Sequence, residues 1–150
     1  MENRNIEDRI YVTYSPEETE DLGEKLGATL AGDETVALFG GMGMGKTAFV
    51  RGLARGLGLP GGEVSSPTFA IVHEHGCPGG GPRLYHFDMY RVETIDDLYS
   101  TGFFDYAGMG VIAAEWCENI RSALPEKRIE VRIGPGDAEN ERRVEIIHNS

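Results

Sequence analysis

The octet Gly40-Gly41-Met42-Gly43-Met44-Gly45-Lys46-Thr47 limits what this chain can fold into more than any other stretch. It joins an apolar run, Thr35 to Phe39, to a helical pattern in which Phe49, Leu53 and Leu57 share one face. The spacing fits G-x-x-x-x-G-K-[ST] in the strand, turn and helix context that this motif requires. Clustered glycines let successive backbone N–H groups curl around phosphate oxygens, and the helix start adds a positive dipole. Lys46 is expected to neutralise the β- and γ-phosphates, and Thr47 to place its hydroxyl on Mg²⁺. The nucleotide-binding set expected from the loop is Gly41, Met42, Gly43, Met44, Gly45, Lys46, Thr47 and Ala48. A Gly-rich turn followed by an incidental Lys-Thr is the competing reading, and the flanking elements argue against it.

With 150 residues, 40% hydrophobic and 26% charged, the chain suits one compact domain spanning 1–150. Met1 to Arg9 has neither the apolar centre of a secretory signal nor the Arg-rich pattern of a transit peptide. No apolar run approaches the roughly 20 residues that span a bilayer. The expected setting is therefore the cytosol, away from membranes. Cys77 and Cys117 form no C-x-x-C pair and read as reduced thiols without a metal or disulfide role. The formal net charge of −11 opposes autonomous binding to tRNA or DNA.

Along the chain, Ile10 to Thr13 reads as a short strand and Ser15-Pro16-Glu17-Glu18 as a helix start. Ser15 is the expected N-cap and Glu18 its capping-box partner. Leu22, Leu26 and Leu30 give that helix an apolar stripe, and Gly32-Asp33 ends it. Gly52 and Gly56 weaken the second helix and imply close packing there; Gly58 and Pro60 close it. The runs Phe69 to Val72 and Leu84 to Phe87 read as antiparallel strands joined by a loop over Cys77 to Pro82. Thr94 caps a short helix through Leu98, Val111 to Ala114 is a strand buried on both faces, and Ile129 to Ile133 with Val144 to Ile147 forms a terminal hairpin. The fold class expected is α/β, a P-loop NTPase-type three-layer arrangement with a mixed central sheet flanked by helices and a C-terminal β-hairpin.

Hydrolysis requires carboxylates that reach the metal or the attacking water. Glu115 ends the apolar strand Val111 to Ala114 in a Walker B-like layout, and Asp88 ends Leu84 to Phe87. Strand C-terminal ends converge on the ligand crevice of a parallel-type sheet, so both acids are placed to approach one Mg²⁺. The expected catalytic set is Lys46, Asp88 and Glu115, with Thr47 and Glu115 on the metal. Against this stands the plainer reading of each acid as a solvated strand end. Val64-Ser65-Ser66-Pro67-Thr68 reads as a rigid, hydroxyl-rich turn of the kind that senses a γ-phosphate in P-loop switches, although an ordinary turn has the same composition. His86, Tyr90 and Arg91 receive no catalytic role from their types alone, and Trp116 reads as core or as a lid.

The ordered set of G-x-x-G-x-G-K-T, Val64 to Phe69, His86-Phe87-Asp88-Met89-Tyr90-Arg91, Glu115-Trp116 and Leu124-Pro125 resembles the TsaE family, from about Tyr11 to Ile133. That resemblance implies an ATPase using ATP and Mg²⁺ and acting with TsaB and TsaD. These partners install a threonylcarbamoyl group on the tRNA adenosine next to the anticodon. tRNA would be reached only through the complex. It also implies Lys46 and Thr47 on phosphate and Mg²⁺, Glu115 as the Walker B-type acid, Asp88 as a second required acid and Thr13 near the adenine. The loop departs from the family's usual pattern at Gly41, Met42 and Met44, where an acid, Leu and Ala are common. Two other readings stay open at this point, a P-loop small-molecule kinase and a nucleotide-dependent binding switch with negligible turnover. The sparse Arg121, Lys127 and Arg128 do not make the Arg-rich lid of such kinases.

Overall fold

The computed structural model describes residues 7–41, 43–59, 72–76 and 83–149. The two most apolar runs become strands β2 (Thr35–Phe39) and β5 (Val111–Glu115), with every residue of both buried. Burial on both faces is what a continuous apolar strand without alternation demands. β2 lies parallel to β5 on one side and to a strand at Arg128–Pro135 on the other. Beyond β5 the parallel set continues with β4 (Arg83–Asp88), and β3 (Val72–Gly76) closes that edge antiparallel to β4. With β6 (Arg128–Pro135), β7 (Arg142–Asn149) and β1 (Arg9–Thr13) on the other side, the order is β1-β7-β6-β2-β5-β4-β3. These seven strands form one mixed sheet among the described residues.

One sequence expectation is corrected here. The strand antiparallel to β4 is described over Val72–Gly76, so it continues past the expected end at Val72, and 60–71 lies outside the described residues. His73, Glu74 and His75 make a polar edge strand, which an apolar-run criterion passes over. The Gly-Pro-rich stretch 77–82, expected as a loop, lies outside the described residues. The expected terminal hairpin is present as antiparallel β6 and β7, and it extends the main sheet, since β6 pairs parallel with β2 and β7 takes β1 on its far edge.

Helices α1 (Pro16–Gly27) and α2 (Lys46–Gly56) cover one face of the sheet, burying Leu22, Leu26, Phe49, Val50 and Leu53 against Val36, Leu38, Ala113 and Val131. The other face carries α3 (Ile95–Ser100), α4 (Phe103–Tyr106) and a 3₁₀ segment at Glu118–Ala123. There Leu98, Phe103 and Ile120 pack with Tyr85, Phe87 and Ile112. Two apolar layers separated by the sheet result. Among the described residues, no helix is long and apolar enough to cross a membrane.

Local chemistry explains the helix ends. Ser15 Oγ accepts the Glu18 N–H at 3.1 Å, as an N-cap should, while the Glu18 carboxylate accepts from Tyr14 N–H at 3.0 Å, one residue before the expected partner. α1 ends at Gly27, a turn earlier than its leucine spacing suggests, with the Thr29 hydroxyl donating to Leu26 O at 2.7 Å. Leu30 then packs from a turn. α2 finishes in a Schellman motif, with Gly58 N–H on Arg55 O and Leu59 N–H on Ala54 O, both at 2.9 Å. Thr94 and Asp97 form the reciprocal box that starts α3.

The two helices on the first face meet backbone to backbone. A Cβ on Gly52 would lie 1.8 Å from Glu20 O, and one on Gly56 would lie 2.2 Å from Glu24 O. Gly23 and Gly27 answer from α1, where added Cβ atoms would strike the carbonyls of Phe49 and Leu53. The close packing expected of Gly52 and Gly56 is therefore present. Arg55 bridges the seam to Glu20 at 2.6 Å and Glu24 at 3.3 Å. On β6, buried Glu130 is held by Arg121, Arg128 and Arg132 at 2.9, 2.7 and 2.9 Å.

Candidate functional site

The Gly-rich loop leaves β2 at Gly40 and enters α2 at Lys46, beside the C-terminal ends of β4 and β5. Gly45, at φ +105°, makes the final turn that a side chain would strain, and its carbonyl accepts the Phe49 N–H at 3.0 Å. Gly41 and Gly43 are exposed, so their backbone is open to a ligand, while Met44 is half-buried against the core. Met42 lies outside the described residues, as does 64–68, where the turn is expected. Thr47 and Ala48 are half-buried in the first turn of α2.

Lys46 is 6% exposed, a depth at which an ammonium needs partners. Its Nζ donates to Gly40 O at 2.6 Å and stands 3.5 Å from the centre of the Trp116 ring. Burial draws its pKa below that of a free lysine, while Glu115, Glu118 and Asp88 act in the opposite direction. The cation is thus caged by one carbonyl, one indole and a field of carboxylates.

Asp88 and Glu115 are register partners where β4 and β5 end, and Leu38 of β2 is the partner of Glu115 on its other side. Glu115 is 4% exposed and bonded to His86 Nε2, itself fully buried. Asp88 is half-buried, with Oδ1 accepting the Tyr90 N–H at 2.9 Å. Met89 N–H on Glu115 O at 2.9 Å ties the two strand ends together. Trp116 takes φ +61°, a sparsely allowed conformation for a non-glycine residue, and meets Tyr90 edge to face at 5.3 Å.

Thr13 ends β1, 4% exposed, its hydroxyl 2.7 Å from that of Thr19 in α1. The Thr19 methyl would lie 3.6 Å from a Cβ on Gly45, so the Thr13–Thr19 pair braces the loop from the side. Buried Cys117 donates to Ala114 O at 3.2 Å, and burial pushes its thiol far up, which suits an inert packing role. Tyr90 and Arg91 are exposed beside the site.

The structure therefore brings together Lys46, Asp88 and Glu115 with Gly41, Gly43, Gly45, Thr47 and Ala48, and adds Thr13 through Thr19. Sequence reasoning passed over His86 and the Lys46–Trp116 contact. A strand period of two supplies the missing signal for His86: it shares a face with Asp88, as Ala113 does with Glu115, and His86 pairs with Ala113.

The oxygen donors at the site are the Thr47 hydroxyl and two carboxylates, hard ligands of the type Mg²⁺ prefers. Among the described residues, no three His, Cys, Asp or Glu side chains converge to hold a metal by themselves.

Comparison with known proteins matches residues 13–144 to the family model described as "Threonylcarbamoyl adenosine biosynthesis protein TsaE". The tRNA threonylcarbamoyladenosine biosynthesis protein TsaE of Bacillus subtilis (strain 168) is 38% identical over 139 residues, covering 91% of this chain and 85% of that protein. The Aquifex aeolicus (strain VF5) protein of the same name is 36% identical over 136 residues, covering 90% and 92%. The crystal structure of Bacillus subtilis YdiB superposes with a TM-score of 0.71 at 30% identity, over 96% of this chain and 87% of that one.

Proposed function

The chain belongs to the TsaE family, and on that premise we propose that it is a P-loop ATPase. Its hydrolysis of ATP with Mg²⁺ supports TsaB- and TsaD-dependent threonylcarbamoylation of the tRNA adenosine next to the anticodon. The observation that carries this reading is the meeting of Lys46 with Glu115 and Asp88 at one end of the sheet, where β2 turns into α2. The whole chain acts as one P-loop NTPase domain, in the cytoplasm, with tRNA reached through the partner proteins.

The residues divide the work by position. Exposed backbone at Gly41 and Gly43, together with Met42, Met44 and Gly45, cradles the phosphates, with the start of α2 at Lys46, Thr47 and Ala48 behind them. Lys46 exchanges the Gly40 carbonyl and the Trp116 face for the β- and γ-phosphates. Thr47 and Glu115 hold the Mg²⁺ side, and Asp88 orients the attacking water. Thr13 shapes the nucleoside end through Thr19. When bound, Mg²⁺ neutralises charge developing between the β- and γ-phosphates.

Phosphate release with no acceptor present, measured with and without TsaB, TsaD and tRNA, tests this reading. Phosphate should appear, and faster with the partners. Phosphate transferred only to an added small molecule would instead identify a kinase, and binding without turnover under every condition would identify a switch. Glu115→Ala and Asp88→Ala should each retain nucleotide and hydrolyse it far more slowly. Lys46→Ala should lose affinity, read from Trp116, the single tryptophan of the chain, whose emission should shift on nucleotide binding in the parent. An equal shift in Lys46→Ala would sink the loop assignment.

A further inference from the structure

We propose that His86 is the positioning residue for Glu115, donating from Nε2 to one carboxylate oxygen so that the other is held toward the ligand side. This rests on Glu115 serving the Mg²⁺ side as proposed above. His86 lies in the middle of β4, 0% exposed, on the sheet face that carries Leu84, Val111 and Ala113. An aliphatic residue would fill that space without the cost of burying a polar ring, so its bond to Glu115 needs a reason beyond packing.

The surroundings fix the tautomer. Nε2 faces the Glu115 carboxylate, which can only accept, while Nδ1 is buried with no hydrogen-bond partner among the described residues. A buried N–H without an acceptor costs more than a bare lone pair. The proton therefore belongs on Nε2, where it is used.

The consequence concerns Lys46. Among the carboxylates near its ammonium, Glu115 acts on it most strongly. A glutamate side chain released from His86 has the rotational freedom to swing onto that cation, and the resulting ion pair would occupy both groups that the nucleotide requires. Anchoring Glu115 to the sheet keeps Lys46 for the phosphates and leaves a carboxylate oxygen for the metal. Asp88, two residues along the same face of β4, is anchored separately through Tyr90 N–H.

The test compares His86→Leu, which fills the space without a donor, with His86→Gln, whose side-chain amide reaches a similar point. Calorimetry of nucleoside diphosphate binding with and without Mg²⁺, kcat and KM for phosphate release, and thermal stability of the free protein are measured on each. His86→Leu should lose the Mg²⁺-dependent part of its affinity and about 10- to 100-fold in kcat, with Mg²⁺-free binding weakened as well because Lys46 is drawn onto Glu115, and His86→Gln should recover most of each. Heteronuclear imidazole spectra of the parent should show the proton on Nε2. A proton on Nδ1 instead overturns the proposal whatever the variants do, even if His86→Leu fails to fold. If the parent turns over and His86→Leu matches it in kcat and Mg²⁺ dependence, this inference alone falls. A parent that neither binds Mg²⁺-nucleotide nor releases phosphate removes the functional reading, and this one with it.

Discussion

Glu130 is a single buried carboxylate shared by three arginines, and its balance of effects has a definite sign. Burial pushes its pKa up, yet hydrogen bonds from Arg132 and Arg128 and the charge of Arg121 outweigh that, so it titrates below its ordinary 4.5. A carboxyl group whose pKa is lower folded than unfolded adds stability above the unfolded value, and that stability is lost as pH falls through the folded one. Glu130→Gln should therefore cost about 2 kcal/mol near neutral pH, the scale of hydrogen bonds to a charged group. The gap between parent and variant should narrow progressively once pH drops below 4.5. Chemical denaturation across that range checks it; a gap constant down to strongly acid pH would mean the carboxylate charge is not what the arginines hold.

At the scale of elements, the seam between α1 and α2 is set by what is missing from it. Gly52→Ala adds one methyl group and gains roughly 1 kcal/mol of intrinsic helix preference. With Glu20 O 1.8 Å from the new atom, the helices must separate, and the loop rides on the start of α2. A net loss of about 2 to 3 kcal/mol in denaturant unfolding is expected, with weaker nucleotide binding alongside. Stability at or above the parent's would mean the seam is not tight. Much of this level was legible in the sequence, because glycine spacing, helix caps and unbroken apolar runs act locally. Ser15, Thr94, the loop and β5 all announce themselves within a few residues. What escaped notice depends on partners distant in sequence. β3 is polar because it is an edge, α4 is a four-residue turn fixed by Phe103 in the second core, and Glu130 looks like an outward charge until its arginines arrive. His86 belongs to the same class, since only the β4–β5 register shows that it faces Glu115.

For the molecule as a whole, 25 acidic and 14 basic residues set a repulsive field toward polyanions. Arg51 and Arg55, one helical turn apart, offer no exception, because Glu20 and Glu24 already engage them. The isolated protein should show no submicromolar tRNA binding at physiological salt, with or without nucleotide. A filter-binding or anisotropy titration that found such binding would contradict indirect access to tRNA. The sheet order carries a further consequence, for synthesis. β2, which launches the loop, takes both neighbours from residues more than 70 positions further along, and β1, which braces the loop through Thr13, pairs with β7 alone among the described residues. A chain emerging from the ribosome holds its complete phosphate-binding motif long before it has the strands that support it. The site is therefore expected to reach its working shape late in synthesis, once β7 at 142–149 is free to pair with β1 and β6, and nucleotide to become a ligand only then.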